Sequence, residues 1–455
     1  MNQLETRTAL SLAAVFAARM LGLFMILPVL PLLATELKYS TPFLIGLCIG
    51  IYGLTQALLQ IPLGLLSDKI GRKPIIIGGL MVFTLGSILA ASTDNIYLII
   101  AARAIQGSGA IAATTMALAA DLSREDQRAK MMAFIGMSIG LSFMIAMIIG
   151  PLITEVAGLS GIFWVTAGLA VIGILLVKFV VPTPKLTKVH RDAGIIGAYI
   201  KPVLTESTLL RMNLSVFLLH LLMTANFTVL PLLFRDHLNI ASVDHWKIYL
   251  PVLIGSLLFS LPMIIVSEKF RKIKLMFIIA VTLLVFSQAI LSLHPSAIQY
   301  NFYPLIFSFL LFFIGFNFLE AVQPSLVAKY SDVSTKGTAM GVYSSSQFLG
   351  IFVGGSVGGF TLQHFGISGV FTFGAIIALL FLVVAISLPK PDYFKTQLVK
   401  LSEEFLVNID ATTKQLLSID GVKQAAISLD EGVAYLKIDK LELDPIKLDS
   451  YLKTQ

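Results

Sequence analysis

Several ionisable side chains interrupt long apolar runs of this sequence. Glu320 lies within one such run, and Arg19, Arg103 and His220 lie within others. A charge at membrane depth is costly and usually faces a partner or a water-filled cavity, so each of these residues is a functional candidate. Glu320 could bind a proton or a cationic substrate, or it could only neutralise a nearby arginine.

The other polar candidates also have two interpretations. An unperturbed imidazole changes its protonation near neutral pH, so His220 could carry a proton, although packing between helices would equally explain it. Arg19 is either a counter-ion or a structural brace. The uncharged candidates for substrate or proton binding are Gln106, Asn226 and Asn317.

Enzyme chemistry finds little support in the sequence. There is no phosphate-binding G-x-x-x-x-G-K-[ST] loop, which argues against direct use of ATP. No His/Glu cluster has metal-binding spacing, and the single cysteine, Cys48, excludes an intramolecular disulfide and a zinc site built on several cysteines. We therefore predict that the protein is not an enzyme and has neither a cofactor nor a bound metal.

The elements that position these residues are apolar segments of membrane-spanning length. Of 455 residues, 56% are hydrophobic and 13% are charged, whereas a soluble domain has about 25% charged residues. A spanning helix needs ~20 mostly apolar residues. We predict an all-α membrane protein with twelve such helices, at about 8–33, 43–66, 75–92, 96–119, 130–152, 161–181, 209–234, 247–267, 275–293, 300–328, 338–360 and 369–388.

The positive charge is arranged for membrane topology rather than for nucleic acid. The net charge is +7, yet the stretch from residue 391 onward holds eight lysines against eleven acidic residues. The lysines and arginines concentrate in loops after the even-numbered segments. Positive loops face the cytoplasm, which predicts a multi-pass membrane protein with a retained first helix and both termini cytoplasmic.

The chain divides into two halves of six segments. A Pro-containing, charged stretch at 183–207 predicts a cytoplasmic linker between halves at 1–182 and 208–390. Aligning Lys130 with Lys336 also aligns Ser138 with Ser344 and similar small residues around them. Two parallel six-helix repeats around a midplane site are one known transporter architecture, although small residues also serve helix packing.

The loop after the second segment combines glycines and charges at fixed spacing, in Gly64, Asp68, Gly71, Arg72 and Lys73. Gly71 suits a tight turn with positive φ. Asp68 can accept hydrogen bonds at a helix N-terminus, and Arg72 and Lys73 fit a cytoplasmic loop. A simple charged turn would explain the charges but not the whole spacing.

This spacing resembles the signature loop of the major facilitator superfamily, and the resemblance covers residues 1–390. The resemblance implies a conformational switch, in which Asp68 docks on the start of segment eleven at Lys336–Thr338 in the outward-facing state. It also implies that Arg72 pairs with Asp121 at the end of segment four. The second half carries only a degraded copy of the loop, around Glu268.

Two further motifs resemble elements of the same family. Arg103 with Gln106-Gly-Ser-Gly-Ala resembles its intramembrane arginine element, which is associated there with proton coupling, although a brace between helices is the alternative. Gly150-Pro151 resembles the helix-five motif of the drug–proton antiporter branch, but the glycines expected after it are absent. Kinking and close packing alone would account for this pair.

The tail at 395–455 changes character and predicts a small α+β, ferredoxin-like domain. We expect strands at 404–409, 422–429 and 433–438, a helix at 412–419, and a last helix opened by Asp444-Pro445. With this added tail the chain resembles the bacterial inner-membrane drug–proton antiporter relatives that carry such a domain. Its role would be to contact the cytoplasmic side or an unknown ligand.

Together these features predict a proton-coupled secondary transporter that exports a drug or metabolite by alternating access. Its partners would be a small-molecule substrate, protons and the lipid bilayer, without nucleic acid, and we expect a monomer. Two alternatives remain: a membrane sensor or regulator on a transporter scaffold, and a proton-coupled metabolite importer.

Overall fold

The structure is a computed structural model that describes residues 3–183, 195–292, 302–332, 334–392, 394–429 and 432–439, with 442, 443 and 448. Helices dominate it. In chain order they are α1 Gln3–Phe24, α2 Leu30–Leu33, α3 Pro42–Ile70, α4 Arg72–Ala91, α5 Ile96–Ser108, α6 Ala112–Asp121, α7 Glu125–Leu175, α8 Ile200–Thr205, α9 Ser207–Asp236, α10 Trp246–Lys269, α11 Ile273–Ser292, α12 Phe302–Tyr330, α13 Lys336–Ser387, α14 Glu403–Leu406 and α15 Ile409–Leu417.

Local sequence sets where the membrane helices begin and end. At the start of α3 the Thr41 hydroxyl accepts a hydrogen bond from the Leu44 amide at 3.2 Å, and Pro42 occupies the first helical turn, where its missing N–H costs nothing. The helix ends at Gly71, whose φ of +100° is open to glycine and unfavourable for residues with a Cβ. Helix α4 then begins directly at Arg72.

Ten helices in the described part of the chain are long and apolar enough to cross a membrane. Two of them, α7 with 51 residues and α13 with 52, are more than twice as long as the ~30 Å hydrocarbon layer requires. Each is interrupted by one glycine with positive φ, Gly158 and Gly366. Counting the arms on either side of these kinks separately gives twelve spans, which confirms the predicted number.

Helices α3 and α13 approach each other backbone to backbone. A Cβ added at Gly50 of α3 would lie 2.6 Å from the Phe352 carbonyl oxygen of α13, and one added at Gly359 would lie 2.6 Å from the Pro42 oxygen. Small residues of this kind let membrane helices pack closely, where lipid offers no hydrophobic drive between them.

The C-terminal domain is a split βαβ unit, in which a third strand lies between the two strands that the helices connect. Strands β1 Lys395–Lys400, β2 Val422–Ser428 and β3 Val433–Ile438 form an antiparallel sheet in the order β1-β3-β2. Helix α15 covers one face, where Leu416, Ala434 and Leu436 are buried in one cluster. The predicted positions of β2 and β3 are therefore confirmed, and the α+β character of the tail with them.

The predicted first strand at 404–409 is wrong. That segment forms α14 and the start of α15, and the strand lies earlier, at Lys395–Lys400. Phe405 and Ile409 pack into the same cluster as Leu416, so the apolar residues follow a helical spacing that we had interpreted as a strand. The predicted last helix at Asp444-Pro445 falls outside the described residues.

This domain contacts the membrane helices through the central strand of its sheet. Lys437 on β3 donates hydrogen bonds to the Lys329 carbonyl at 2.8 Å and the Ser331 carbonyl at 2.5 Å, at the C-terminal end of α12. Gln424 on β2 donates to Asp332 Oδ1 at 3.1 Å. Lys437 is only 6% exposed, and burial lowers the pKa of its ammonium group below the usual range.

Candidate functional site

The charges of the signature loop form a buried cluster at the junction of three helices. Arg72, the first residue of α4, forms an ion pair with Asp68 of α3. Its Nε donates to Asp121 Oδ2 at 3.1 Å, at the end of α6, and its Nη1 donates to the Ser67 hydroxyl at 2.6 Å. The Arg72 and Asp121 side chains are 2% and 0% exposed. The contact between Arg72 and Asp121 is present as expected, and its role as a switch stays a prediction.

Lys73 fixes the same loop to the end of the first half of the chain. Its ammonium donates to the Val181 carbonyl at 2.7 Å and to the Thr183 hydroxyl at 3.3 Å, where the sixth membrane segment ends. The loop after the second segment is thereby connected to the end of the sixth, just before the linker.

The linker inserts between α3 and α13 near this cluster. Ile195, 6% exposed, touches Gly64 of α3 and Gly341 of α13: a Cβ added to these glycines would lie 3.3 and 2.8 Å from Ile195 Cδ1. The Ile196 amide donates to the Thr338 hydroxyl at 3.0 Å. Among the described residues, Asp68 therefore pairs with Arg72 while the linker contacts Thr338, and the docking of Asp68 on segment eleven is not made.

Arg19 on α1 lies at the centre of a polar cluster between α1 and α3. Its Nη2 donates to the Tyr52 hydroxyl at 2.8 Å and to Gln56 Oε1 at 2.5 Å, and Gln56 in turn donates to Gln60 at 3.1 Å. All four side chains are at most 2% exposed. Gln56 and Gln60, one helical turn apart, thus extend the surroundings of Arg19 along α3.

Arg103 on α5 lies on the other side of the same tyrosine. Its Nη1 donates to Gln106 at 2.8 Å, its Nε donates to the Cys48 carbonyl at 3.4 Å, and its guanidinium carbon is 5.0 Å from the Tyr52 ring centroid. Gln106 donates onward to the Ser87 hydroxyl at 2.7 Å. The two residues of the predicted arginine element therefore do contact each other.

Glu320 of α12 faces a histidine and a glutamine from two other helices. Its Oε2 is 3.5 Å from His220 Nε2 on α9, and its Oε1 accepts a hydrogen bond from Gln347 Nε2 on α13 at 3.4 Å. Gln347 Nε2 also lies 2.8 Å from His220 Nε2. The Glu320 side chain is 40% exposed whereas that of His220 is 4% exposed, and the Glu320 Oε2 that faces His220 is itself buried.

The remaining predicted residues lie apart from this group. Asn317 donates to the Ser256 hydroxyl at 2.8 Å instead, and Asn226 is buried at 3% without taking part in the hydrogen bonds around Glu320. Gly150 serves close packing, because a Cβ there would lie 2.6 Å from the Met25 carbonyl oxygen. Pro151 follows it inside α7.

Sequence reasoning missed several members of these clusters. Tyr52, Ser87 and Gln347 are ordinary helix residues in the sequence, and only the packing of helices distant in the chain brings them to Arg19, Arg103 and Glu320. Gln347 lay in a predicted span, and a polar amide within an apolar run was the signal that could have singled it out. The described residues contain no group of three His, Cys, Asp or Glu side chains able to hold a metal ion.

The twelve apolar spans, the buried loop cluster and the polar side chains in the helices define a polytopic membrane transporter. The sequence profile of the Major Facilitator Superfamily matches residues 12–244 and, a second time, residues 212–420. The chain belongs to this superfamily, whose members transport small molecules.

Among characterised sequences, the chain is similar to the inner membrane transport protein YajR of Escherichia coli strain K12, with 43% identity over 99% of this chain and 98% of the relative. The class B tetracycline resistance protein of Escherichia coli is 29% identical over 38% of this chain and 44% of its own length. Among solved structures, a D-xylose-proton symporter has the same fold, with a TM-score of 0.68 and 16% identity over 84% of this chain and 98% of that one.

Proposed function

We propose that this protein exports a small molecule, a drug or a metabolite, in exchange for protons. The halves at 1–182 and 208–390 would rock about a midplane site, with both termini in the cytoplasm and the protein acting as a monomer. The observation that carries the proposal is the contact between the partly exposed Glu320 carboxylate and the buried His220 imidazole. The tetracycline resistance relative is consistent with the outward direction.

The geometry around His220 suits a group that gains and loses a proton. Its Nδ1 lies 3.1 Å from the Val216 carbonyl oxygen, which can only accept, so Nδ1 carries the hydrogen. Neutral His220 then offers Nε2 as an acceptor to Gln347, while protonated His220 can donate from Nε2 to Glu320. One added proton thus changes the net charge of the Glu320–His220 pair from negative to neutral.

Neutralising the pair would lower the free-energy cost of holding the Glu320 charge in the membrane interior, where an uncompensated charge is costly. Proton binding and the movement of the halves would thereby be coupled. The conformational switch would be the charge cluster of Arg72, Asp68 and Asp121, which lies where α3 can close onto α13. For α3 to close there, Ile195 would have to leave the space between Gly64 and Gly341.

Proton movement in inside-out membrane vesicles energised by respiration tests the proposal. A panel of lipophilic cations, neutral drugs and sugars is added, and wild type is compared with Glu320→Gln and Asp68→Asn. We expect at least one compound to dissipate the pH gradient in wild type, and this response to be lost in both variants. Glu155→Gln, which changes an exposed carboxylate on α7, is the matched control and should respond like wild type.

Retention of the full response in Glu320→Gln would remove Glu320 from the proton path. Proton uptake together with the compound, rather than exchange against it, would replace the exporter with an importer.

The contact of the C-terminal domain favours a second candidate, a membrane sensor. Lys437 links the domain to the end of α12, the helix that carries Glu320, so occupancy of one region can influence the other. Deleting residues 395–455 separates the candidates. A transporter should keep some flux, because the helices form the path, whereas a sensor should have no flux of its own and should lose its response.

A further inference from the structure

Two arginines are buried in the first half of the chain without a carboxylate partner. Arg19 and Arg103 are each 1% exposed, and neither takes part in an ion pair among the described residues. A buried lysine or histidine can escape the cost of burial by losing its proton, but a guanidinium remains charged. The buried charge of this region is therefore uncompensated.

The neutral groups around the two arginines do not satisfy their donors. Tyr52, Gln56, Gln106 and the Cys48 carbonyl accept one hydrogen bond each from these arginines. Three buried nitrogens have no acceptor: Nε and Nη1 of Arg19, and Nη2 of Arg103. Buried polar atoms without partners are rare in native proteins and call for a missing partner, which here must be an acceptor and should be an anion.

The position of the two guanidiniums suits a transported molecule. Their central carbons lie 5.9 Å and 5.0 Å from the centroid of the Tyr52 ring, one from each arginine. Tyr52 is ten residues into α3, about 15 Å along the helix and hence near the middle of the hydrocarbon layer. Its ring also meets Phe348 of α13 at 6.4 Å, so the arginines adjoin a contact between the two halves of the chain.

Purely structural bracing explains these contacts less well. A brace uses its donors on fixed acceptors, as Arg72 does with Ser67, Asp68 and Asp121. The Tyr52 ring and the Phe83 ring, 6.0 Å from Arg19, stabilise a cation through their π faces, but they cannot accept hydrogen bonds in the guanidinium plane. They do provide an apolar, aromatic flank to the unpaired donors.

We propose that Arg19 and Arg103 bind the anionic group of the transported molecule, and that this molecule is a lipophilic organic acid whose apolar part packs against the Tyr52 and Phe83 rings. The inference deepens the proposed function, because it names the substrate class of the exporter. Arg19 and Arg103 supply the charge that neutralises the acid at midplane depth, and Tyr52 and Gln56 hold the Arg19 guanidinium in place.

Binding to the purified full-length protein in detergent tests the proposal without a proton gradient. The probes are benzoate, salicylate and octanoate, with benzamide and salicylamide as neutral counterparts of matched shape. We expect at least one carboxylate to raise the thermal unfolding midpoint saturably, and its amide to have no such effect. Arg19→Gln and Arg103→Gln should each weaken binding at least tenfold, whereas the exposed-site control Arg235→Gln should bind like wild type.

If either glutamine variant fails to fold, Arg19→Lys and Arg103→Lys replace them, because they keep the charge but lose the planar set of donors, and they too should bind more weakly. Three results would overturn the proposal: no saturable binding of any of the three acids to wild type, equal binding of acid and amide, or unchanged affinity in the arginine variants. The same three acids are therefore also added to the vesicle assay. If a carboxylate binds but neither the acids nor the original panel dissipate the pH gradient, this site stands and only the exporter is removed; if a cation, neutral drug or sugar dissipates the gradient and no carboxylate binds, the exporter stands and this site is removed.

Discussion

At the scale of single residues, Arg72 holds together the ends of three helices. It begins α4, while Asp68 lies in the last turn of α3 and Asp121 ends α6. A buried ion pair repays the cost of desolvation only when its geometry is good, and removing one partner leaves an uncompensated charge. Arg72 therefore matters less for the attraction it adds than for the two carboxylates it allows to be buried.

Arg72→Ala should destabilise the protein strongly, by about 3–5 kcal/mol, because it breaks the ion pairs of Arg72 with the Asp68 and Asp121 carboxylates, the second of which is fully buried. Thermal unfolding of the detergent-purified protein measures the effect. Adding Asp68→Asn to Arg72→Ala should recover part of the loss, since one of the two charges is then removed. The control is Lys69→Ala, an exposed lysine in the last turn of α3. Equal midpoints for Arg72→Ala and this control would contradict the prediction.

Gly71 makes the turn that brings these residues together. With φ +100° and ψ 150°, its backbone occupies a region that is essentially restricted to glycine. Gly71→Ala should therefore cost about 1–3 kcal/mol, whereas Gly78→Ala, at a helical position of α4 with open space around it, should be neutral or slightly stabilising. The same unfolding measurement compares them, and an equal effect of both substitutions would show that the turn is not strained by a Cβ.

Residue contacts could be predicted from the sequence only where a motif carried them. Arg72 and Asp121 were paired through the family resemblance, and Arg103 and Gln106 were singled out together as one element by the same resemblance. The partners His220 and Gln347 of Glu320 come from helices about 100 and 27 positions away in the chain. Such contacts depend on how helices rotate and pack, which the apolar composition of a span leaves undetermined.

At the scale of elements, α3 and α13 behave differently at their two ends. Near Gly50 they touch backbone to backbone, whereas near Gly64 and Gly341 the side chain of Ile195 separates them. The linker is therefore part of the contact between these helices and not only a connection. Thr338, 1% exposed, is covered where the Ile196 amide bonds to it.

Ile195→Gly should expose the covered end of α13. Removing a buried isoleucine side chain costs about 2 kcal/mol or more in packing, which corresponds to roughly a thirtyfold rise in local opening. The readout is the rate at which N-ethylmaleimide modifies a cysteine placed by Thr338→Cys. Native Cys48 is 0% exposed and should add little background. Ala198→Gly, an exposed change in the same linker, is the control; identical labelling rates in both would mean that Ile195 does not shield α13.

Element boundaries in the membrane region followed from the sequence because a bilayer demands ~20 apolar residues per span whatever their order. The predicted spans at 209–234 and 247–267 lie within three residues of α9 and α10. The tail has no such constraint. There, the short α14 and α15 contain too few apolar residues to distinguish a helical spacing from the alternation of a strand. The helical spacing of Phe405 and Ile409 was therefore missed.

At the scale of the whole molecule, a small soluble domain is joined to a membrane transporter by more than its covalent connection. All six residues of β3 are buried, since α15 covers one face and Lys437 on the other reaches the end of α12. Because burial lowers the pKa of Lys437, the docked domain binds this proton less tightly than the undocked one. Docking should therefore strengthen as the pH rises toward the ordinary lysine pKa of ~10.4.

Lys437→Met should release the domain from the helices. Hydrogen bonds from a charged group contribute about 1.5–3 kcal/mol, so the undocked population should rise roughly tenfold to a hundredfold. Limited chymotrypsin digestion of the full-length protein measures this as faster cleavage after Phe394, the partly exposed residue directly before β1. Lys423→Met is the matched control, since that lysine lies on β2 in an exposed pair with Glu442, and exposed pairs contribute little. If both variants are cut at the wild-type rate, the Lys437 contact does not hold the domain, and any influence of the domain on transport must pass through the contact of Gln424 with Asp332 or through the chain connection.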